Sequence, residues 1–320
     1  MKLQDSRVLL TGGAGFIGSH VADALVAAGV SRLVVVDDLS LGQLANLEAA
    51  RRAFPALEFH PLDLADEAAV ERLLGAEQFD FCFNLAVIPL PASLIEPKRT
   101  TDRNVLMTTN VCELARAGKI RRLIQYSSSE VYGTARSVPM GEAHPLEAET
   151  PYAASKVATD SIALSYHRTF GIDAVVLRPF NNYGPRQNDK AYAGIIPIVA
   201  NRVKAGAPIS IHGDGEQTRD FIYVGDTARA TLMLAERDDV VGEVFNVGSG
   251  KETSVNALVG LMVELMGQPE YPLEYGPARP GDVRRHLAGV AKAEQALGFA
   301  PEVSLREGMA ETLAWYRSRA

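Results

Sequence analysis

The segment Thr11-Gly12-Gly13-Ala14-Gly15-Phe16-Ile17-Gly18 is the strongest indication of fold in this chain of 320 residues. It follows a short apolar run, residues 7–10, and precedes a segment with helical amphipathic spacing, residues 16–28. Of its three regularly spaced glycines, the first permits a tight turn, the second lets the backbone approach a pyrophosphate, and the third allows close packing of helix on strand. The amino end of the helix adds oriented N–H groups for phosphate. We therefore predict a dinucleotide-binding turn whose cofactor contacts are Gly12, Gly15, Phe16, Ile17 and Gly18.

An acidic pair follows the second predicted strand, residues 33–36. An acid about twenty residues beyond the glycines is expected to hydrogen-bond the adenosine ribose hydroxyls of a dinucleotide, which assigns that contact to Asp37. Asp38 adds negative charge, and no arginine or lysine lies between Asp38 and Glu48. A 2′-phosphate would meet no cation there, so we predict NAD rather than NADP as the cofactor.

Apolar runs alternate with helical segments through the first half of the chain. The runs are apolar throughout, which is typical of parallel strands that are covered on both faces. Strands that alternate with helices indicate an α/β fold with a Rossmann-type, doubly wound parallel sheet. The predicted strands are residues 7–10, 33–36, 57–60, 79–86, 122–126 and 174–177, and the predicted helices are residues 16–28, 66–74, 103–117 and 151–170.

The regular alternation of predicted strands and helices ends after Arg178-Pro179, where turn-rich stretches separate shorter elements. We interpret this half as a smaller C-terminal α/β substrate domain, from which the chain returns once to the first domain. Helices are predicted at residues 195–205, 226–236, 254–266 and 305–317, and a strand at residues 244–247. The predicted dinucleotide domain comprises residues 1–179 and about 220–250, and the substrate domain comprises residues 180–219 and 251–320.

The composition is that of an ordinary globular protein, with 47% hydrophobic residues, 22% charged residues and a net charge of −7. The sequence lacks the basic patch that nucleic-acid binding requires and the basic amphipathic helix of a membrane-surface protein. It also lacks an apolar run long enough to span a bilayer and a signal-peptide pattern, so a cytoplasmic protein is expected. Cys82 and Cys112 lie in apolar segments and are expected to be small buried hydrophobes, and no metal site is predicted.

Tyr152 and Lys156 stand four residues apart in the predicted helix at residues 151–170. Residues with this spacing share a helix face, so the phenol and the ammonium are expected to point the same way. A tyrosine with a pKa of about 10 is a poor base at neutral pH, but a nearby cation lowers that pKa. The pair is therefore a candidate base for removing a proton from an alcohol. The same spacing also occurs by chance on solvated helix faces.

Serines follow the fifth predicted strand, in the stretch Tyr126-Ser127-Ser128-Ser129-Glu130-Val131-Tyr132-Gly133. Ligands of open parallel sheets bind beyond the carboxyl ends of the strands, so these hydroxyls are expected to face the bound ligand. A serine there can hydrogen-bond a substrate alcohol and hold it against the phenolate. A capping or turn role is the alternative.

Together these motifs resemble the extended short-chain dehydrogenases/reductases of the NAD-dependent nucleotide-sugar epimerase/dehydratase group. The resemblance covers nearly the whole chain. It depends on the glycine turn, Asp63-Leu64, Asn84-Leu85-Ala86, Asn104, the serine stretch 127–133, Tyr152 with Lys156, the stretch 178–185, Thr218-Arg219-Asp220-Phe221 and Arg279-Pro280-Gly281-Asp282.

The resemblance implies that a tyrosine takes the proton from a sugar hydroxyl, usually at C4, and that bound NAD is regenerated in each cycle. It assigns the nicotinamide ribose to Lys156 and the reacting oxygen to Ser128. Asp63 is expected at the adenine, although a helix-capping role is as common for such an acid. Further cofactor contacts are Leu64, Ala86 and Asn104, and the expected substrate contacts are Ser128, Ser129, Asn182, Arg186, Arg219, Arg279 and Asp282.

The three arginines among the expected substrate contacts are predicted to have different roles. Arg219 and Arg279 match residues that clamp a diphosphate, a task that suits the guanidinium fork; a surface ion pair is the alternative. Arg186 is expected to meet a sugar carboxylate or a phosphate.

Ser129 and Glu130 distinguish the activities within the group. Members that dehydrate 4-keto sugars usually carry Thr-Asp-Glu, and Ser129 replaces that aspartate here. Simple 4-epimerases usually lack both acids, sugar-acid decarboxylases can show Ser-Glu, and Glu130 could instead be a structural carboxylate. The stretch 183–197 resembles UDP-sugar 4-epimerases, which favours epimerisation of a UDP-hexose, N-acetylhexosamine or uronic acid. The alternatives are a 4,6-dehydratase or decarboxylase using Glu130 as a catalytic residue and a non-catalytic NAD-binding sensor.

The resemblance to the family also implies a homodimer, formed through the helices at residues 104–117 and 151–170.

Overall fold

The computed structural model describes residues 1–189, 193–278 and 283–319. The strands are β1 (Arg7–Thr11), β2 (Arg32–Asp37), β3 (Glu58–Pro61), β4 (Phe79–Asn84), β5 (Ile120–Tyr126), β6 (Asp173–Pro179), β7 (Asn181–Tyr183), β8 (Ile209–His212), β9 (Thr218–Tyr223), β10 (Val244–Val247), β11 (Glu252–Ser254) and β12 (Leu273–Gly276). The helices are α1 (Phe16–Ala27), α2 (Glu48–Ala53), α3 (Glu67–Leu74), α4 (Leu90–Ser93), α5 (Pro97–Arg116), α6 (Pro151–Phe170), α7 (Ile195–Lys204), α8 (Val224–Ala235), α9 (Val255–Leu265), α10 (Ala291–Leu297) and α11 (Leu305–Ser318). Short 3₁₀ helices span Leu44–Leu47 and Ser129–Tyr132.

Seven strands form a central parallel sheet in the order β10-β6-β5-β4-β1-β2-β3. The chain runs outward from β1 in one direction through β2 and β3, and in the other direction from β4 through β5 and β6. The order therefore reverses between β1 and β4, and ligands of such sheets bind at the carboxyl ends of the strands at this point. The predicted α/β fold with a Rossmann-type parallel sheet is confirmed.

The apolar strands are buried because helices cover both faces of the sheet. Successive residues of a strand point to opposite faces. In β1, Val8 and Leu10 belong to the hydrophobic core that includes residues of α1 and α8. Leu9, between them, belongs to the core that includes residues of α3, α5 and α6. This explains why the strand sequences are apolar without alternation.

The remaining elements build a second core outside the central sheet. It is formed by α7, α9 and α11 together with β7, β8 and β9. Strand β9 pairs in parallel with β7 and antiparallel with β11, while β8 pairs with β12. Between these elements the chain returns to the central sheet, where β10 pairs with β6. The domain boundaries expected from the sequence stay a prediction.

Helix α5 differs from its sequence prediction. It begins at Pro97, six residues before the predicted start at residue 103, and proline occupies one of its first helical positions. Proline is favoured there because its missing N–H would have no partner within the helix. The predicted start was wrong because the first turn, Pro97 to Thr100, carries little apolar periodicity.

None of the helices in the described ranges has the length and apolarity needed to cross a membrane. The same part of the chain holds no cluster of three or more histidine, cysteine, aspartate or glutamate residues that could bind a metal ion. Cys82 and Cys112 are buried as expected, and burial raises the pKa of the Cys112 thiol to about 12.

Candidate active site

A cavity of about 400 Å³ opens at the carboxyl ends of the parallel strands. It brings the glycine turn and the serine stretch to a single site, although more than a hundred residues separate them in the chain. Twelve of the predicted site residues line it: Gly12, Gly15, Phe16, Ile17, Gly18, Asp37, Leu64, Ala86, Ser128, Tyr152, Lys156 and Asn182.

The glycine turn forms a cradle that side chains would fill. Gly12 has φ +65°, and a β-carbon there would lie 2.8 Å from the backbone nitrogen of Ala86. A β-carbon at Gly18 would overlap the carbonyl oxygen of Gly12. Helix α1 has Gly15 as its N-cap, with no side-chain hydrogen bond to the first turn, so backbone N–H groups are left for a ligand. The cradle fits the pyrophosphate of a dinucleotide.

Asp37 lies at the carboxyl end of β2 and lines the cavity. Its carboxylate accepts hydrogen bonds from the backbone nitrogens of Ala14, at 3.0 Å, and Leu39, at 2.9 Å. Burial raises the pKa of Asp37, and the backbone hydrogen bonds oppose that shift. Each oxygen keeps a further lone pair for a ribose hydroxyl, so the residue fits the adenosine half of NAD.

Gly18→Ala is expected to weaken NAD binding by at least about tenfold, because the new methyl group would push the Gly12 carbonyl out of the cradle. Calorimetric titration with NAD would measure the change. Gly260→Ala is the matched control, since a β-carbon at this helical glycine meets no atom within 4 Å. An unchanged NAD affinity in Gly18→Ala would contradict the assignment of the turn.

Helix α6 holds Tyr152 and Lys156 on one face at the cavity wall. Its first turn is capped by Thr150, whose hydroxyl accepts a hydrogen bond from the backbone nitrogen of Ala153 at 3.1 Å, and Pro151 starts the helix. The Lys156 ammonium donates to the backbone oxygen of Tyr126 at 2.5 Å. Burial lowers the pKa of Lys156 to about 8, against the attraction of the Asp160 charge.

The phenol of Tyr152 is less acidic here than its spacing from Lys156 predicts. Its ring is half-buried, but its hydroxyl lies deep enough for burial to raise the pKa of Tyr152 to about 12. A hydrogen bond with Ser128 lowers that pKa, whereas the charges of Glu130 and Asp160 raise it. Desolvation of the phenolate therefore acts against the lowering of the Tyr152 pKa that is expected from Lys156, and that lowering stays a prediction.

The serines of the stretch 127–133 differ in their hydrogen bonds and in their burial. Ser128 caps the 3₁₀ helix and accepts a hydrogen bond from the backbone nitrogen of Glu130 at 3.2 Å. Ser129 points the other way: it is 3% exposed, and its hydroxyl lies 3.5 Å from Nδ1 of His286. Burial lowers the pKa of His286 to about 3, so the ring is neutral. Within this stretch Ser127 and Ser128 line the cavity, whereas Ser129 and Glu130 do not.

Two residues predicted to contact the cofactor, Asn104 and Asp63, form hydrogen bonds within the protein, and their cofactor contacts stay predictions. The Asn104 side chain bonds both backbone groups of Ile88, at 2.8 and 3.1 Å, and the Ser155 hydroxyl at 2.9 Å. It thereby fixes Ile88, which lines the cavity. Asp63 forms an ion pair with Arg103. Neither Asn104 nor Asp63 lines the cavity.

Two of the predicted substrate arginines, Arg186 and Arg219, also lie outside the cavity lining. Arg186 forms an ion pair with Asp23 of α1 at 2.7 Å. Arg219 donates to the backbone oxygens of Thr218, at 2.8 Å, and Val283, at 2.7 Å. Their contacts with substrate stay predictions. Arg279 and Asp282 lie outside the described residues.

Sequence reasoning missed a buried ion pair beneath the site. Asp160, one helical turn beyond Lys156, accepts from Arg178 of β6 at 2.9 Å, and both side chains are nearly inaccessible. Arg178 also donates to the Tyr132 hydroxyl at 3.0 Å. The spacing of Tyr152, Lys156 and Asp160 on one helix face was the available signal, because an acid at the third position would be buried with the first two.

The parallel sheet, the phosphate cradle and the Tyr152–Lys156 pair define a dinucleotide-dependent enzyme of the extended short-chain dehydrogenase/reductase class. The chain belongs to the NAD dependent epimerase/dehydratase family, whose model matches residues 8–248. The family expected from the sequence is confirmed, and with it NAD as the cofactor.

Relatives with different activities match the whole chain about equally well. The UDP-glucose 4-epimerase of Mycolicibacterium smegmatis is 36% identical over 98% of this chain and 99% of its own length. The dTDP-glucose 4,6-dehydratase of an Actinoplanes species is 35% identical, over 98% of both chains. The crystal structure of Thermotoga maritima UDP-glucose 4-epimerase with UDP-glucose has a TM-score of 0.91 at 35% identity, covering 97% of this chain and 98% of its own. Membership of the family thus leaves the particular reaction open.

Proposed function

We propose that this protein is a UDP-sugar 4-epimerase that acts through a transient 4-keto sugar. The observation that carries the proposal is that Ser128, Tyr152 and Lys156 line the cavity whose other end is the phosphate cradle. The similarity to a UDP-glucose 4-epimerase solved with UDP-glucose supports a UDP-sugar as the substrate.

Three residues at the cavity wall have distinct roles in the proposed reaction. When bound, NAD⁺ would accept the hydride from C4 and later return it to the keto carbon, and its positive charge would favour the phenolate. Tyr152 takes the proton of the C4 hydroxyl, and Ser128 holds that oxygen in place by a hydrogen bond. Lys156, buried and engaged with the Tyr126 carbonyl, contributes a fixed cation that favours the phenolate. Tyr152 returns the proton when the keto group is reduced on its other face.

The charges at the cavity wall favour epimerisation over loss of water. Elimination from a 4-keto sugar needs an acid and a base besides the tyrosine. Among the described residues, the acids that line the cavity are Asp37 and Asp38, at the adenosine end. Ser129, at the position of the dehydratase aspartate, is buried against His286. Epimerisation requires no further acid, so the described wall is sufficient for it.

A dehydratase or decarboxylase remains the second candidate because the Glu130 charge acts on the Tyr152 hydroxyl. Incubation with UDP-glucose, UDP-N-acetylglucosamine and UDP-glucuronate, followed by mass spectrometry and sugar analysis, separates the candidates. An epimerase gives a new sugar of unchanged mass. Loss of water or carbon dioxide would contradict the proposal.

Glu130→Gln is expected to keep epimerase turnover and to shift its pH dependence. Because the Glu130 charge raises the pKa of Tyr152, its removal moves the acidic limb of kcat/KM to lower pH, by about half a unit. Glu270→Gln removes an exposed carboxylate before β12 and should leave the profile in place. If Glu130 were the acid or base of a lyase, Glu130→Gln would instead lose product formation by about a hundredfold or more.

A homodimer through α5 and α6, and a cytoplasmic location, stay predictions of this proposal. Sedimentation of the purified protein would test the first.

A further inference from the structure

A row of buried polar side chains crosses the middle of the central sheet, at the carboxyl ends of three strands. Its members are Thr11, Asn84 and Gln125, which are paired directly across β1, β4 and β5, and each is at most 1% exposed. Val36 and Val176 occupy the paired positions on the strands to either side. This polar row is therefore confined to the part of the sheet where the strand order reverses.

Hydrogen bonds join the polar row to Lys156. The Thr11 hydroxyl donates to the Asn84 carbonyl oxygen at 2.7 Å, and the Asn84 nitrogen donates to the Gln125 side-chain oxygen at 2.7 Å. The Gln125 nitrogen donates to the backbone oxygen of Tyr126 at 3.0 Å. The Lys156 ammonium donates to that same oxygen. A carbonyl oxygen has two lone pairs, so the last residue of the row and Lys156 share this acceptor.

The backbone after β4 fixes the direction of these hydrogen bonds. The Thr11 hydroxyl oxygen accepts from the two backbone nitrogens of residues 85–86, at 3.1 and 3.3 Å. A hydroxyl has two acceptor lone pairs and one hydrogen, so its hydrogen is left for Asn84. The Asn84 amide then turns its nitrogen to Gln125, and Gln125 turns its own nitrogen to the Tyr126 carbonyl. Hydrogen bonds aligned in one direction polarise and strengthen one another.

We propose that Gln125 is a positioning residue, which holds the Tyr126 carbonyl where Lys156 is seated and so fixes the ammonium for the nicotinamide half of the cofactor. Gln125 itself does not line the cavity. An ammonium has three donors, and the carbonyl takes one of those of Lys156, which leaves two for the ribose that this residue is predicted to bind. Without Gln125 the carbonyl can tilt, and the ammonium moves with it. The alternative is that the row only satisfies buried polar groups and stabilises the sheet.

The first experiment compares NAD with ADP, which lacks the nicotinamide riboside, by calorimetric titration of the full-length protein freed of bound nucleotide. Gln125→Met keeps the length of the side chain but loses both hydrogen bonds. We expect it to weaken NAD by about fivefold and ADP by less than about twofold. Thr231→Val is the matched control, because it removes a buried hydroxyl that bonds the Tyr126 side chain and leaves the row intact. It should lower the melting temperature without changing the ratio of the two affinities.

A second pair of variants interrupts the polar row at its other end, with a smaller change in the core. Thr11→Val removes the first donor and is expected to lower the ratio of NAD affinity to ADP affinity by about twofold. Thr11→Ser keeps the hydroxyl and should restore the wild-type ratio. In the double variant Thr11→Val, Gln125→Met the ratio should fall no further than in Gln125→Met, since both changes interrupt one row.

The second experiment measures sugar turnover and therefore rests on the proposed function. Gln125→Met is expected to lower kcat by about tenfold with little change in KM for the UDP-sugar. A displaced Lys156 favours the Tyr152 phenolate less, so the pKa of Tyr152 rises and the acidic limb of kcat/KM moves to higher pH, by about half a unit. The other charges that act on this pair, Glu130 and Asp160, are unchanged in the variant.

Two results would overturn the proposal. One is a Gln125→Met protein that melts at a lower temperature than the wild type yet keeps the wild-type ratio of NAD affinity to ADP affinity. The other is an active Gln125→Met protein whose pH profile is that of the wild type. If the wild-type protein turns over none of the sugars, the affinity ratio still tests Gln125, so failure of the epimerase proposal and failure of this one are distinguishable.

Discussion

Tyr152→Phe is expected to lower the rate of epimerisation by about a thousandfold while NAD stays bound, because the substitution removes the oxygen that accepts the C4 proton in the proposed mechanism. The aromatic ring and its packing remain, so the melting temperature should change little. Turnover of the active UDP-sugar and the NAD content of the purified protein are the two measurements.

Tyr166→Phe is the matched control for that variant. Tyr166 lies on the same helix, but its hydroxyl donates to Glu113 on α5, away from the cavity. It should keep wild-type turnover. Wild-type turnover in Tyr152→Phe would show that another group is the base. If the wild-type protein turns over none of the sugars, the non-catalytic NAD-binding alternative gains support.

Asp160→Ala is expected to lower the free energy of unfolding by about 3–5 kcal/mol, because it leaves the Arg178 guanidinium buried without its carboxylate. Chemical denaturation monitored by circular dichroism would measure the loss. Arg178 keeps its bond to Tyr132, but a neutral hydroxyl cannot replace the lost charge.

Two further variants test whether the loss of stability comes from the buried ion pair. Asp239→Ala removes the acid of an exposed ion pair with Arg237 and should leave the stability nearly unchanged. The double variant Asp160→Leu, Arg178→Met removes both buried charges and should regain much of what Asp160→Ala loses. A stability loss in Asp160→Ala no larger than that in Asp239→Ala would contradict the role of the buried pair.

The sequence predicted best those features that depend on neighbouring residues. The glycine turn and its ribose acid follow from local backbone geometry, since only glycine permits the conformation of Gly12 and the close approach at Gly18. The Tyr152–Lys156 pair is similarly local, because helix geometry alone places both side chains on one face. These residues meet at the wall of the cavity at the carboxyl ends of the strands.

Side-chain partners that come from distant parts of the chain were not predictable in this way. Nothing in the segment around Asp63 indicates that Arg103, forty residues later, takes its carboxylate. Ser129 looked equivalent to its neighbours in a serine run, yet its packing against His286 removes it from the cavity wall. The high pKa of Tyr152 likewise depends on burial by the whole fold, whereas the helix spacing indicates only one neighbouring charge, that of Lys156.

The return of the chain to the central sheet limits how this protein can be divided. Strand β10 covers the outer edge of β6, and α8 shares a hydrophobic core with α1. A fragment that stops after β6 would expose an unpaired strand edge and part of the apolar surface of α1, both of which favour aggregation. The nucleotide-binding half is therefore not a self-contained module.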